Sequence, residues 1–172
     1  MQPPCVTAAD VVALTPRLRR HAAALAGSLA DGDDLAQDCL ERALGNLAAV
    51  REPQALYGWM LAILHNLHAG GFRRRRARGV EVALEDLADT VALSVAPAER
   101  TAMRDLVRAL AALSDDQRQV ILLTALEGMS YREIAVVLDA PIGTVMSRLA
   151  RGRERLRALL EGGPEQAVRR IK

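Results

Sequence analysis

The sequence predicts an all-α protein made of two small helical domains joined by a flexible linker. Three observations predict it. Apolar residues recur at intervals of three and four through most of the chain, the period of helices with one buried face. Residues 127–157 read as two helices joined by a tight corner. Charge is also segregated. The 172 residues sum to only +2, yet residues 1–72 carry −2, 73–78 carry +5, 79–97 carry −4, 98–140 carry −2 and 141–172 carry +5. Two basic blocks around an acidic segment point to two contacts with a polyanion. Apolar residues make up 51% of the chain, enough for a globular core in each of two modest domains.

In chain order, Thr7 to Asp10 is a helix start, and Val11, Leu14, Leu18, Ala22, Leu25 and Leu29 carry an apolar face. Pro16 reads as a first-turn residue, which moves the expected helix start to about Thr15. Asp31-Gly32-Asp33 reads as a turn, with Asp33 capping a second helix that turns Leu35, Cys39, Ala43 and Leu47 inward. Asp34, Gln37, Asp38, Glu41 and Arg42 form a polar stripe on its other side. Pro53 opens a third helix, on which Trp59, Ile63 and Leu67 are expected core residues. His65 and His68 stand three apart there, and without further ligands they read as surface or DNA-proximal groups, not a metal site. Gly70-Gly71 costs about 1 kcal/mol per residue relative to alanine and is expected to fray or kink this helix before the arginine run. Residues 79–97 are acidic and read as irregular connector.

A helix over residues 98–113 should turn Met103, Leu106, Val107, Leu110 and Leu113 inward, and Ser114 should cap the next, with Val120, Ile121, Leu123 and Leu126 buried. Ser130 with Glu133 forms a capping box, and Tyr131, Ile134, Ala135 and Leu138 then carry one apolar stripe. Asp139-Ala140-Pro141 stops that helix, because the residue before proline is pushed out of the helical region. A second helix opens near Ile142, with Ile142, Val145 and Leu149 inward and Thr144, Ser147, Arg148 and Arg151 opposite. Arg148, Arg151, Arg153, Arg155 and Arg157 are opposed there only by Glu154, a cluster that calls for an anionic partner. Hydroxyls and guanidiniums on such a helix suit phosphates and guanine edges in a major groove.

The run G-T-V-x-S-R-L-x-R-x-R after S-Y-x-E-I-A resembles the −35-reading domain of the extracytoplasmic-function sigma factors of bacterial RNA polymerase, densely over residues 113–160. D-D-L-x-Q-D-x-x-x-R-A at 33–43 and W-x-x-x-I-x-x-N at 59–66 are similar to the same family's N-terminal domain. The resemblance implies a region-2-like domain at 1–78, a linker at 79–97, a region-4-like helix-turn-helix domain at 98–162 and a tail at 163–172. It puts Asp34, Gln37, Asp38, Glu41 and Arg42 against the β′ coiled coil of core RNA polymerase, whose β and β′ subunits are the implied partners. Arg51, Gln54, Tyr57, Asn66, Arg73 and Arg74 would contact the −10 element, and Thr144, Met146, Ser147, Arg148, Arg151 and Arg153 the −35 element of promoter DNA. Many family members carry a basic residue at the position of Met146 and an aromatic one at that of Ala150. An anti-sigma factor and a role in stress response are implied as well.

No paired-carboxylate pocket, nucleophile elbow, glycine-rich phosphate loop or metal cluster is legible, so neither an enzyme nor a cofactor is expected. Cys5 and Cys39 lack metal-ligand spacing, and Cys39 reads as a small core residue. With no signal peptide and no membrane-length apolar run, the expected compartment is the cytoplasm. Two other readings use the same residues: a sigma-like decoy that binds an anti-sigma factor without DNA, and a stand-alone helix-turn-helix repressor. The intact arginine face disfavours the decoy, and the 33–43 and 59–66 motifs disfavour the repressor.

Overall fold

The computed structural model describes residues 6–50, 52–75 and 82–162, with side chains of 72–75 and 82–83 excepted. Among them are eight α-helices and no strand: α1 Ala8–Ala26, α2 Leu29–Gly45, α3 Leu56–Arg75, α4 Val82–Leu93, α5 Arg100–Ala111, α6 Asp115–Ala125, α7 Tyr131–Val137 and α8 Ile142–Glu161. Short 3-10 turns at Leu47–Ala49, Pro53–Ala55 and Pro97–Glu99 punctuate them.

The helix boundaries correct two expectations. α1 is capped by Thr7, whose side chain and Asp10 form a capping box, and it runs through Pro16 instead of starting at about Thr15. The Thr7–Asp10 box fixes the start, and the buried face of Val11, Leu18, Ala22 and Leu25 carries the helix across Pro16. Likewise Ser28, not Asp33, caps α2, so Asp31, Gly32 and Asp33 lie inside the helix. Gly32 is there for proximity: a Cβ on it would stand 2.5 Å from Ala23 Cα of α1. Here a glycine that looks like a turn signal is a packing surface.

α1, α2 and α3 pack mutually, with Val11, Leu18, Leu25, Leu35, Cys39, Ala43, Met60 and Leu64 buried between them. Trp59, Ile63 and Leu67 are only half-buried against this core, because the most deeply buried face of α3 runs through Leu56, Met60, Leu61 and Leu64. The helix continues through Gly70 and Gly71 to Arg75 with no break, since glycine weakens a helix without forbidding it.

The expected irregular connector is in fact α4. Leu84, Leu87, Ala88, Val91 and Ala92 share one face, of which Leu87, Ala88 and Ala92 are buried, and the helix lies on α5. Its acids face outward and pair with α5, Asp89 with Arg104 at 2.6 Å and Glu85 with Arg108. α5 to α8 form the second group, in which Leu113, Val120, Ile121, Leu123, Ile134, Val137, Val145 and Leu149 are buried. Met103, Leu106, Val107 and Leu110 are half-buried, since they line an apolar cavity of about 730 Å³ bounded by α1, α4, α5 and α6. Leu126 is exposed, at the end of α6 beyond the packed turns.

The two groups are not separate bodies. α1 touches α6, α3 touches α7 and α2 touches α4, and one continuous apolar cluster runs from Val6 to Leu149.

Candidate nucleic-acid interface

The placement of α8 is set by its corner. Ser130 caps α7, its Oγ accepting from Glu133 N–H while the Glu133 carboxylate accepts from Ser130 N–H at 2.8 Å. The Ser130 hydroxyl, which donates to that carboxylate at 2.7 Å, and then the Ser130 N–H hold the Glu133 carboxyl below its ordinary range. Asp139 adopts φ 45°, and the chain reverses over Leu138–Ala140 before Pro141 caps α8 with its carbonyl. Aspartate is among the few non-glycine residues that tolerate this left-handed region. Val145 and Leu149 then bury α8, and Gly152 lets it lie close on α6, where a Cβ would meet Ile121 Cδ1 at 2.9 Å.

Opposite that face, Met146, Ser147, Arg151 and Arg153 are exposed and Thr144 is half-buried. Ile142, expected inward, is exposed at the start of α8, one turn before the helix reaches its packed face. Ser147 Oγ and Arg151 Nε donate back to the carbonyls of Thr144 and Ser147, at 3.0 and 3.3 Å. Arg148 differs from its neighbours: its Nη2 lies 2.9 Å from Asp116 Oδ2 at the start of α6. The face is thus basic and solvent-accessible, with one guanidinium oriented by its own domain.

The stripe Asp34, Gln37, Asp38, Glu41 and Arg42 is exposed along α2, its only internal side-chain bond running from Gln37 Nε2 to Glu41 Oε1. Its residues repeat at three and four, so one partner surface can engage them all. The expected −10 residues do not come together in this way. Gln54 and Asn66 are exposed, whereas Tyr57 is half-buried beneath the Arg17 guanidinium, 4.1 Å from its ring centroid. Nine residues apart on α3, Tyr57 and Asn66 lie on opposite faces. Arg51 falls outside the described residues, as do the side chains of Arg73 and Arg74.

His65 and His68 are buried, not exposed as the sequence suggested. They join His21 of α1 in a polar seam between the two helix groups. Glu127, just after α6, accepts from His21 Nδ1 at 2.8 Å and from Arg17 at 2.7 Å. His21 Nε2 stands 3.1 Å from His65 Nε2, and His65 Nδ1 stands 3.3 Å from Gln119 Oε1. Gln119 Nε2 donates to Asp115, which also accepts from His68 at 2.7 Å and from Arg118 at 3.1 Å. Burial pushes Asp115 and Glu127 up, but these donors outweigh it and hold both carboxyls below their ordinary values. Burial, then the charge of His21, holds His65 down to about 3. Sequence reasoning missed Glu127 altogether. The available signal was a lone acid after Val120–Leu126, a run that is apolar except for Thr124.

Among the described residues no helix is long and apolar enough to cross a membrane, and no group of three or more His, Cys, Asp or Glu is placed to hold a metal.

The chain is similar to known proteins along nearly its whole length. The family model described as "Sigma-70, region 4" matches residues 103–156, and that described as "Sigma2 domain of PhyR" matches residues 11–65. Over 168 residues the chain is 34% identical to the ECF RNA polymerase sigma factor EcfG of Rhodopseudomonas palustris, covering 94% of this chain and 92% of that one. Over 135 residues it is 33% identical to the ECF RNA polymerase sigma-E factor of Escherichia coli K12, covering 72% and 71%. In structure it resembles the sigma factor RpoE of Bartonella quintana, solved in complex with the anti-sigma factor NepR. That match has a TM-score of 0.73 and 30% identity, and covers 89% of this chain and 95% of that one. With that structural match and a whole-length relative above 30% identity, the chain belongs to the extracytoplasmic-function sigma factors of RNA polymerase.

Proposed function

We propose that this chain gives core RNA polymerase its promoter specificity through two separate surfaces. The observation that carries the reading is that α8 presents Ser147, Arg151 and Arg153 to solvent while its other face is anchored by Val145 and Leu149. A rigid helix with an unshielded basic face fits a major groove, where guanidiniums read guanine and hydroxyls fix the backbone. Arg148 and Arg151 are the strongest candidate contacts to the −35 element, with Thr144, Met146, Ser147 and Arg153 beside them. Gln54, Tyr57 and Asn66, with Arg51, Arg73 and Arg74, are assigned to the −10 element.

The exposed stripe Asp34, Gln37, Asp38, Glu41 and Arg42 is assigned to the polymerase β′ coiled coil. Residues 1–78 and 98–162 are the two working domains, and α4 belongs to the segment between them. The chain works by binding and not by covalent chemistry, in the cytoplasm, where polymerase and promoter meet. An anti-sigma factor is the regulator we infer, by analogy with the NepR complex of the Bartonella protein. The decoy reading is not favoured, because a relative named as a sigma factor aligns over 92% of its own length.

The test is run-off transcription from a promoter library with purified core polymerase and this protein as the only sigma. Initiation at a defined subset, lost in Arg148→Ala/Arg151→Ala and in Gln37→Ala/Asp38→Ala, is the expected result. Failure to bind core polymerase would overturn the reading.

A further inference from the structure

The seam between the helix groups accounts for its own protons. Gln119 Nε2 is committed to Asp115, so Gln119 turns its carbonyl oxygen toward His65 Nδ1. His65 Nδ1 must then donate, which leaves His65 Nε2 as an acceptor. His21 stands between it and Glu127, with Nε2 toward His65 and Nδ1 toward the carboxylate. The chain Glu127–His21–His65–Gln119–Asp115–His68 therefore runs unbroken from α1 and α3 across to α6. The charged or titratable groups facing it are Arg17 and Arg20 from α1, Tyr57 from α3, and Arg118 from α6. Apart from Tyr57, none of these groups is used in the proposed contacts with DNA or polymerase.

This arrangement is incompatible with simultaneous reading of two promoter elements. Elements centred at −10 and −35 are separated by about 85 Å at ~3.4 Å per base pair. A compact chain of this length spans only about 40 Å. In the present structure α3 and α7 are in contact. The seam also holds Tyr57 under Arg17 and beside Glu127, away from any melted strand. We propose that the histidine seam is an intramolecular latch, which keeps the two DNA-reading halves closed and off the promoter and which a second ring proton on His65 opens. The inference rests on the assignment of α3 and α8 to the two promoter elements.

The direction of the pH effect follows from His65. Closed, it stays neutral down to about 3; in an opened chain it regains its ordinary value of 6.5. Closure is therefore at full strength above pH 6.5 and loses about tenfold in equilibrium constant per pH unit below it. Asp115 and Glu127, both held low, act in the same direction at lower pH.

Small-angle X-ray scattering on the full chain, paired with promoter binding in the presence of core polymerase, tests the latch. Wild type at pH 7.5 should scatter near the about 16 Å radius of gyration of a compact chain. Glu127→Gln and His65→Phe, each checked for helicity, should scatter larger, as should wild type at pH 5.5. Both variants should bind promoter several-fold more tightly at pH 7.5. An unchanged radius in both folded variants would overturn the latch. A larger radius with unchanged promoter affinity would overturn the off-state. Loss of all promoter binding by wild type and variants alike, with the radius still responding, would instead sink the promoter assignment on which the off-state depends.

Discussion

Arg148 of α8 is held by Asp116 of α6, Nη2 to Oδ2, at 2.9 Å. The pair is partly solvent-exposed, so it contributes about 0–1 kcal/mol to stability. Its effect is orientation: one edge of the guanidinium is engaged and the rest is left for a base. Arg148→Ala should cost about 1–3 kcal/mol in recognition of the preferred −35 sequence, roughly 5- to 150-fold, with weaker loss on unrelated DNA. Asp116→Ala should leave the melting temperature within a few degrees and relax discrimination at one base pair. Mobility-shift titrations against single-base substitutions would show this, and discrimination unchanged in Asp116→Ala would count against the orienting role.

Asp38→Ala and Gln37→Ala should abolish or strongly weaken core-polymerase binding without unfolding the protein. Both side chains are exposed on α2, opposite the buried Leu35, Ala36, Cys39 and Ala43, so the core is untouched. Surface substitutions of this kind usually change stability by no more than about 0.5 kcal/mol. Pull-down on core polymerase, with circular dichroism of the same samples, separates the two effects. Full binding by the double variant would remove the α2 stripe from the interface.

The helices and their faces were legible because capping boxes and apolar periodicity are local. Ser114, Ser130 and the spacing of Val145 and Leu149 mark their elements without any tertiary knowledge. The misreadings share a cause in the third dimension. Gly32 looks like a turn until Ala23 is seen against it, and α4 looks like linker because its acids hide an apolar face that α5 covers. His65 and His68 looked like surface groups because their partners Gln119 and Asp115 lie about fifty residues away. A histidine on an apolar helix face is ambiguous until the opposite helix is known. The exposed basic face of α8 was almost entirely visible, since exposure there needs no partner within the chain.

Acidification should destabilise the folded chain in a defined order. His65 is held low, so its contribution is complete above its ordinary value of 6.5 and declines as pH falls toward about 3. Asp115 and Glu127 are also held low. Their contributions are present above the ordinary carboxylate values of 3.8 and 4.5 and are lost as pH falls through their depressed ones. Thermal melts should therefore show little change between pH 8 and 7, a decline beginning near 6.5, and a steeper one below about 4.5. In Glu127→Gln the steep acid limb should shrink, and an unaltered acid limb in that variant would show that the seam does not carry it.

Gly32→Ala should destabilise the N-terminal helix group despite alanine's better helix propensity. On an exposed helix this change would gain up to about 1 kcal/mol. Here the new Cβ would stand 2.5 Å from Ala23 Cα and 2.6 Å from Ala23 N, backbone atoms that cannot rotate away. α1 and α2 must separate, and overpacking of this kind costs about 1–3 kcal/mol. Gly45→Ala, with nothing within 4 Å of its Cβ, is the internal control and should be neutral or stabilising. The same logic applies at Gly152 but with a softer outcome. Its Cβ would meet the end of the Ile121 side chain at 2.9 Å, and a rotamer change can relieve that contact. Denaturant unfolding should thus rank the substitutions with Gly32→Ala most damaging, Gly152→Ala intermediate and Gly45→Ala harmless. Gly32→Ala as stable as wild type would mean that α1 and α2 are not packed backbone to backbone at this crossing.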